Sequence, residues 1–269
     1  MCGVDPPYEP VTLAGPAVRE VAALFTDPRS FEEREGGGAR RTACYRLRDL
    51  DHVVCCRHGT HDLEIVHELF VQRAYELPSP VRQRLASTGR PLDVVDLGAN
   101  IGAFSVFVHS VLPVARLVAV EADDENFAVL RTCRARNPSG VEWRLVQRAA
   151  AASSGSVRFL AGRFASSRVA ADVTSPDAKL VPTIDVLPLI QRADLVKMDI
   201  EGSEWRLLRD PRFAEGRAEA IVLEYHDVFC PGPSAYDAAR RLLEAAGFVT
   251  GPPFNEYSAR GMLWAWRGG

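Results

Sequence analysis

Short apolar runs and amphipathic stretches follow one another along this chain in a regular order. Val94, Val95 and Leu97 suit a strand buried on both faces, and the apolar positions from Ala103 to Leu112 suit a buried helix. The strand-then-helix order recurs as far as residue 246, after which two final strands are expected to pair antiparallel. This alternation predicts an α/β fold with a doubly wound, mostly parallel sheet of seven strands.

Two segments fall outside this alternation. Residues 42–48 and 52–57 alternate well enough to form a hairpin, which a polar turn connects to a helix. We expect residues 1–80 to form an N-terminal extension that packs on the main domain, residues 81–269. Residues near 150–184, between the third and fourth core strands, are rich in Ala, Ser and Gly. They contain two short strand patterns, which predict a small β insertion.

The turn after the first core strand reads DVVDLGANIG and ends at Gly102. Gly98 and Gly102 permit a sharp turn that brings bare backbone N–H groups against a ligand, at the N-terminus of the next helix. The following strand ends in Glu121, nineteen residues after Gly102. An α/β nucleotide fold places an acid there to bind ribose hydroxyls. The spacing therefore predicts a nucleoside site at this turn.

Two side chains in the turn narrow the identity of the nucleoside. Asn100 stands where a dinucleotide fingerprint needs its middle glycine, and its side chain hinders the close approach of a pyrophosphate. Asp96 repels phosphate but suits the ammonium of a methionine-type group. We therefore expect S-adenosyl-L-methionine as the cofactor. A nicotinamide-dependent oxidoreductase is an alternative that these residues disfavour, and a strand-turn-helix without a ligand is another alternative.

Charged side chains also follow two later strands. The run LVKMDIEGSE delivers Lys197, Asp199 and Glu201 to the carboxyl end of one strand, and the next strand delivers Glu224 and His226 to the same edge. Open α/β sheets bind ligands at this edge. Only two of the 32 Lys and Arg residues are lysine, so Lys197 is a stronger functional candidate than a lysine usually is. His226 is our first choice as a general base, because the ordinary pKa of histidine lies near neutrality.

Four segments together resemble the FkbM-type methyltransferases, which are class I enzymes that use S-adenosylmethionine. They are DVVDLGANIGAFSVF, the VEAD that contains Glu121, LVKMDIEGSEW and VLEYH. RHGTHDLEIVHELF, with Tyr75, resembles an element ahead of the family's cofactor strand, and VPTIDVLPLI, with Asp185, resembles the stretch before its D-x-E-G strand. The resemblance covers residues 57–266 with gaps near 164–178. It implies a class I methyltransferase (Rossmann-like) fold and methyl transfer, usually to a hydroxyl of a sugar or secondary metabolite.

The expected cofactor contacts start from Glu121 on the ribose. Ala122 or Asp123 is expected near the adenine edge, which Gln147 and Ala149 should flank. Residues of the N-terminal extension are expected to close over the pocket. The full set of predicted cofactor-binding residues is Asp96, Gly98, Asn100, Gly102, Glu121, Ala122, Asp123, Gln147, Ala149, Asp199, Thr60, Asp62 and Tyr75.

The candidate catalytic residues are Lys197, Asp199, Glu224 and His226. Lys197 is expected to neutralise Asp199 or Glu224, or to hold the acceptor oxygen as it becomes an anion. Asp199, Glu201, Glu224 and His226 also offer a possible ligand set for Mg²⁺. We predict no metal, because the ligand spacing of metal-dependent class I O-methyltransferases is not clearly present.

Composition disfavours several other classes of protein. The net charge of −3 gives no basic excess, so no nucleic-acid partner is expected. One uncharged run, residues 97–115, is long enough to cross a bilayer but contains polar residues and a proline, so we interpret it as core and expect no membrane partner. No signal-peptide pattern is visible at the start. The six cysteines, with Cys55 and Cys56 adjacent, show neither zinc spacing nor a disulfide framework, so we expect reduced thiols and a cytoplasmic location.

The expected partner is a small-molecule acceptor, and a homodimer is compatible with the sequence. The acceptor atom stays open among a hydroxyl, a carboxylate and an amine. We expect the N-terminal region and residues 164–178 to shape the acceptor pocket. The Arg- and Ala-rich composition fits a GC-rich genome and a bacterial biosynthetic enzyme. A non-catalytic binding protein that kept the fold is the alternative from another class.

Overall fold

A computed structural model describes residues 15–37, 41–137, 140–160, 168–169, 178–257 and 260–268. Most of the predicted acceptor segment 164–178 lies outside these residues, as do residues 1–14. Within the described ranges no helix is both long enough and apolar enough to cross a membrane.

The N-terminal part is a hairpin with helices on either side of it in the chain. Asp27 begins the second helix because its carboxylate accepts a hydrogen bond from the N–H of Ser30 at 3.1 Å. The third helix continues directly into a π-helical turn, His67–Val71. The elements are α1 Pro16–Ala23, α2 Pro28–Gly36, β1 Thr42–Arg46, β2 Val53–Arg57, α3 Asp62–Val66 and α4 Ser79–Ala86.

The central sheet confirms the predicted α/β architecture. Five parallel strands lie in the order β5-β4-β3-β10-β11, and β14 pairs antiparallel with β11. Both β12 and β13 pair antiparallel with β14, so the sheet has eight strands rather than the predicted seven. Its strands are β3 Leu92–Leu97, β4 Val114–Glu121, β5 Glu142–Gln147, β10 Leu195–Met198, β11 Ala220–His226, β12 Phe248–Thr250, β13 Phe254–Tyr257 and β14 Arg260–Arg267.

Helices follow the core strands as the apolar pattern predicts. The helix after β3 is apolar on most of its surface, and its residues Phe104, Val106 and Val108 are buried. The helix after β4 begins at Asp123, whose carboxylate accepts from the N–H groups of two first-turn residues. The helices are α5 Ala103–Val111, α6 Asp124–Arg136, α7 Leu187–Ile190, α8 Glu204–Leu208, α9 Pro211–Ala214 and α10 Ala235–Ala245.

The predicted β insertion is a second sheet. Its strands are β6 Ala149–Ala151, β7 Gly155–Leu160, β8 Arg168–Val169 and β9 Lys179–Asp185, in the order β6-β9-β7-β8. The antiparallel pair β7–β9 is the hairpin expected from the sequence. The short strand β6 was not predicted, and it places Ala149 and Ala150 beside the end of β4.

One apolar core joins the N-terminal extension to the main domain. Val21, Phe25 and Val54 from the extension belong to the same buried cluster as Leu92 and Phe104 of the main domain. The side chain of Asn137, after α6, also accepts a hydrogen bond from the N–H of Val53 at 2.8 Å. A domain boundary near residue 80 stays a prediction, since the buried core runs across it.

The cysteine prediction is wrong for one pair. Cys44 and Cys55 lie directly opposite each other on β1 and β2, and they form a disulfide. Cys56, Cys133 and Cys230 are free. The adjacency of Cys55 and Cys56 hid this pairing, because only the register of the hairpin shows which of the two faces Cys44.

Candidate active site

The corner between β3 and α5 is held by two glycines with positive φ, +74° at Gly98 and +87° at Gly102. A Cβ atom at Gly98 would lie 1.8 Å from the carbonyl oxygen of Asp199, and one at Gly102 would lie 2.7 Å from a methyl group of Leu130. The N–H of Gly98 is bonded to the carbonyl of Val120 at 3.0 Å. The N–H of Gly102 is likewise bonded to the carbonyl of Ala99 at 2.8 Å, so the expectation that these glycines present bare N–H groups to a ligand is wrong for both. The glycines instead allow β10 and α6 to pack against the corner.

Glu121 lies at the end of β4 and faces this corner. Its two carboxylate oxygens accept hydrogen bonds from the N–H of Asn100 at 2.8 Å and the N–H of Asp123 at 2.7 Å. Burial raises the pKa of Glu121 to about 7, although these two backbone bonds oppose the rise. Each carboxylate oxygen has a second lone pair, so both can still accept a hydrogen bond from a ribose hydroxyl.

A pocket of about 500 Å³, including its open mouth, lies between Glu121 and the second sheet. Asn100 has a φ of +49°, and its buried Oδ1 has no hydrogen-bond partner among the described residues. The pocket is lined by Gly98, Asn100, Val120, Glu121, Ala122, Asn126, Arg148, Ala149, Ala150, Phe159, Asp199, Ile200, Glu201 and Ser203.

The lining fits S-adenosylmethionine. The Glu121 carboxylate and the unpartnered Oδ1 of Asn100 are acceptors suited to ribose hydroxyls, and Ala149 and Phe159 offer apolar surface suited to an adenine ring. Six predicted cofactor residues lie together here. They are Gly98, Asn100, Glu121, Ala122, Ala149 and Asp199.

Three other predicted cofactor residues lie behind the pocket lining and are not part of it. Asp96 is fully buried, and its carboxylate accepts a hydrogen bond from Ser105 at 2.7 Å, so it does not reach the pocket as a partner for an ammonium. Gly102 packs against Leu130. Asp123 begins α6 and supports Glu121 through its backbone N–H.

Gln147 also lies outside the pocket lining. It is exposed, and its Nε2 donates to the carboxylate of Asp124 at 2.6 Å. Of the two residues predicted to flank the adenine, Ala149 lines the pocket, whereas Arg148 lines it in place of Gln147.

Asp62 and Thr60 hold the extension in place. Asp62 forms a buried, two-pronged ion pair with Arg57, at 2.8 Å to Nε and 2.7 Å to Nη2. Arg57 also donates to Asn126 at 2.6 Å, and Asn126 lines the pocket. Thr60 donates to the carbonyl of Arg57 at 2.8 Å. These residues support a pocket residue from behind and do not themselves line the pocket.

Some lining residues were missed by the sequence analysis. Phe159 comes from β7 and Arg148 directly precedes β6, so the second sheet forms one wall of the pocket. Asn126 lies on α6, and the remaining missed residues include Ile200 and Ser203 after β10. Only the D-x-E-G motif signals residues 200–203; nothing in the Ala/Ser/Gly-rich insertion signals its part.

Lys197 connects the corner at Gly98 to the charged edge of the sheet, which comprises Asp199, Glu201, Glu224 and His226. Its Nζ donates to the carbonyl of Gly98 at 2.6 Å and lies 3.2 Å from the carboxylate of Asp199 and 3.7 Å from that of Asp96. Burial alone would lower the pKa of Lys197, but the charges of Asp199, Asp96 and Glu224 raise it above its usual value. Lys197 is thus a buried cation that neutralises acids, as one of the two predicted roles requires.

His226 is surrounded by carboxylates at the end of β11. Its Nδ1 lies 2.7 Å from Glu204, and its Nε2 lies 3.4 Å from Glu201 and 3.6 Å from Glu224. Burial would lower the pKa of His226, but the charge and hydrogen bond of Glu204, with the charges of Glu201 and Glu224, raise it to about 10. Without another ligand the imidazole is therefore protonated near neutral pH, and this arrangement argues against His226 as a free general base.

Two carboxylates of the same cluster hold protons unusually well. Burial and the charge of Asp199 raise the pKa of Glu224 to about 8, and burial raises that of Glu201 to about 7. Arg260 of β14 donates to Glu224 at 2.8 Å. Glu201 has a φ of +52°, a costly conformation for a residue other than glycine that often marks a functional site.

Tyr75 lies on this charged side and not in the pocket lining. Its ring is buried against Phe104, with ring centroids 5.3 Å apart. Burial raises the pKa of Tyr75, and the charges of Glu224, Asp199 and Glu68 add to the rise. Tyr75 and Glu68 therefore bring the N-terminal extension close to the charged edge.

The fold and the pocket define a class of protein. A doubly wound sheet with a pocket at its carboxyl edge, beside a buried acid, is the arrangement of α/β proteins that bind a nucleoside cofactor. The catalytic candidates Asp199, Glu224 and His226 lie next to that pocket, with their ligating atoms within 4.8 Å of one another.

Comparison with known proteins gives the family. Residues 96–250, more than half of the chain, match the family model described as the methyltransferase FkbM domain. The chain belongs to this family and is an S-adenosylmethionine-dependent methyltransferase. The protein named Methyltransferase 1 of Beauveria bassiana (strain ARSEF 2860) is 25% identical over 217 residues, which are 70% of this chain and 82% of that protein.

Two solved methyltransferase structures are similar to this chain. The FkbM methyltransferase from Methylobacillus flagellatus KT has 14% identity and a TM-score of 0.47, over 93% of this chain and 58% of that chain. The magnesium protoporphyrin IX methyltransferase from Synechocystis PCC 6803, solved with bound SAM, has 13% identity and a TM-score of 0.46, over 96% of this chain and 100% of that chain.

Proposed function

We propose that the protein methylates a hydroxyl group of a small polar molecule, a sugar or a secondary metabolite, in bacterial biosynthesis. The observation that supports this proposal is the position of Asp199. This residue lines the cofactor pocket and also lies within 4.8 Å of ligating atoms of Glu224 and His226. The polar groups that receive an acceptor hydroxyl and its proton thus adjoin the end of the pocket where a methyl group is needed.

When bound, S-adenosylmethionine supplies a methyl carbon, whose bond to sulfur breaks with the electron pair staying on sulfur as the acceptor oxygen bonds to that carbon. The residues of this chain bind, orient and accept a proton. Glu121 and Asn100 hold the ribose, and Lys197 keeps the corner and Asp199 in place. Glu201 lines the pocket and lies beside His226, so its carboxylate is placed to receive the hydroxyl proton. Orientation of the two reactants supplies the larger share of the rate, about 7–11 kcal/mol of the barrier.

The surroundings of the charged edge suit a hydroxylated acceptor. Glu68 of the π-helical turn accepts a hydrogen bond from Asn255 at 3.3 Å, and Arg260 binds Glu224. Tyr75 is buried close to these charged groups. Such alternating donors and acceptors recognise hydroxyl groups, whereas a purely apolar wall would favour a hydrocarbon acceptor.

The test is methyl transfer from labelled S-adenosylmethionine to a panel of sugars, phenols, carboxylic acids and amines. The proposal predicts an ether product that resists mild alkali. An alkali-labile methyl ester or an N-methyl product would overturn the hydroxyl as acceptor and favour the two alternatives. Cofactor binding without turnover of any acceptor would favour a non-catalytic binding protein.

The remaining partners and the location stay predictions. A small-molecule acceptor, the absence of a nucleic-acid or membrane partner and a homodimer are each tested by binding assays and light scattering on the purified chain. The cytoplasmic location is opposed by the Cys44–Cys55 disulfide, since structural disulfides are rare in reducing compartments. Counting free thiols in protein taken directly from cells distinguishes the two cases.

A further inference from the structure

Three potential ligands converge where β10 and β11 end side by side. Asp199 follows β10, while Glu224 and His226 belong to the end of β11, and one ligating atom from each lies within 4.8 Å of the other two. We propose that Asp199, Glu224 and His226 bind a divalent cation of the Mg²⁺ or Mn²⁺ type beside the cofactor pocket. This inference revises our expectation from the sequence that no metal is bound.

The histidine is oriented as a metal ligand needs to be. His226 is only 5% exposed, and its Nδ1 is bonded to the fully buried Glu204 at 2.7 Å. Its Nε2 is buried and has no hydrogen-bond partner among the described residues, although it faces Glu201 and Glu224. Metal-binding histidines commonly have one ring nitrogen bonded to a carboxylate and the other directed at the ion. A cation takes the place of the Nε2 proton, because the ligand must offer a lone pair.

The two carboxylate ligands are also held from behind. Lys197 lies 3.2 Å from one oxygen of Asp199, and Arg260 donates to one oxygen of Glu224 at 2.8 Å. These contacts fix the side chains. The Oε1 of Glu224 that accepts from Arg260 is also the oxygen 3.6 Å from His226 Nε2, and its second lone pair can bind a cation.

Acidic side chains outnumber basic ones around His226. Asp199, Glu201, Glu224 and Glu204 are four acids around His226, whereas Lys197 and Arg260 are the two basic side chains that contact them in the described part of the chain. Carboxylate oxygens are preferred by Mg²⁺ and Mn²⁺, and a single imidazole is compatible with Mn²⁺. Three protein ligands leave coordination positions for water and for an acceptor.

The role of the cation rests on the proposed methylation of a hydroxyl. A cation at this position binds the acceptor oxygen and lowers the pKa of its hydroxyl, so that the oxygen attacks as an alkoxide. The proton leaves to Glu201 or to water. Asp199, one of the three ligands, also lines the cofactor pocket, so the cation lies where the attacking oxygen must be held.

The experiment measures Mn²⁺ binding to the full chain, without acceptor, by titration calorimetry and by the electron paramagnetic resonance signal of free Mn²⁺. We expect one site in the wild-type protein, displaced by excess Mg²⁺, and at least tenfold weaker binding in Glu224→Gln. Glu219→Gln is the matched control. Glu219 directly precedes β11, at the end of the strand away from the proposed site, and it pairs with Arg84. Its affinity for Mn²⁺ should equal that of the wild type.

Thermal unfolding without metal shows whether each variant is folded. If Glu224→Gln does not fold, Asp199→Asn takes its place with the same expected loss. Failure of the wild type to bind Mn²⁺ at millimolar concentration, or equal affinity in all folded variants, would overturn the cation site. S-adenosylhomocysteine binding is measured on the same samples. If it persists while Mn²⁺ does not bind, only the cation site is refuted, whereas its absence would refute the proposed function as well.

Discussion

Glu121 gives the sharpest quantitative prediction, because the same carboxylate is expected to bind the ribose and to make stability depend on pH. Burial raises the pKa of Glu121 to about 7 from an ordinary value of 4.5. The folded protein therefore binds this proton more tightly than the unfolded chain does. Its contribution to stability is intact below pH 4.5 and is lost as the pH rises through about 7.

The magnitude follows from the size of that shift. A rise from 4.5 to about 7 corresponds to about 3 kcal/mol of stability lost between those pH values. Glu121→Gln cannot ionise, so this loss should be missing from the variant. Urea unfolding from pH 5 to pH 8 measures the difference between the two proteins, in which the titration of all other groups cancels. Because part of the loss has already occurred at pH 5, we expect the difference to shift by about 2.5 kcal/mol in favour of the variant between pH 5 and pH 8.

Cofactor binding should change in the opposite direction. Glutamine keeps one acceptor oxygen instead of two and carries no charge, and a hydrogen bond to a charged group contributes about 1.5–3 kcal/mol. Titration calorimetry with S-adenosylhomocysteine at pH 8 should show a dissociation constant at least tenfold higher for Glu121→Gln than for the wild type. Glu142→Gln, on exposed β5, is the control and should change neither quantity. If stability depended on pH equally in the wild type and in Glu121→Gln, or if the dissociation constant were unchanged, this account of Glu121 would be refuted.

Two further substitutions test the corner. Gly98→Ala places a methyl group 1.8 Å from the backbone oxygen of Asp199, at a φ of +74°. Urea unfolding should therefore show a loss of stability of at least about 2 kcal/mol. Gly140→Ala is the control and should be nearly neutral, because the added methyl group would enter open space. Lys197→Met leaves buried acids without their cation and should lower the free energy of unfolding by about 3–5 kcal/mol. The same change at exposed Lys179 should lower it by less than about 0.5 kcal/mol. Equal effects at the two lysines would contradict the buried ion-pair network.

Much of the fold follows from local patterns. The apolar run of β3, the turn with two glycines and the acid at the end of β4 all lie within 30 residues, and the structure brings Gly98, Asn100 and Glu121 to one pocket. The alternation of strands and helices also predicted the parallel core correctly. Such features depend on hydrophobic periodicity and turn chemistry, which a sequence displays directly.

Features that depend on distant neighbours were missed or misread. The need for glycine at position 98 comes from the carbonyl of Asp199, which is 101 residues away in the chain. The strand β6 is a run of three alanines, a residue that is depleted in strands, so only its pairing with β9 reveals it. The disulfide between Cys44 and Cys55 could be predicted only from the register of the hairpin, which places the two residues opposite each other.

The protonation of His226 was beyond the sequence for the same reason. Its pKa depends on Glu204, which belongs to α8 and is fully buried. A five-residue helix offers too little periodicity to show which of its faces is buried. The charges around a titratable group can therefore be counted only after the packing is known.

The central claim is that the pocket at Glu121 holds S-adenosylmethionine with its methyl end towards Asp199. A crystal structure of the chain with S-adenosylhomocysteine tests it most directly. The account predicts ribose hydroxyls at about 3 Å from the Glu121 carboxylate, the adenine beside Ala149 and the sulfur nearest Asp199. A nucleoside bound elsewhere, or a ribose out of reach of Glu121, would contradict it.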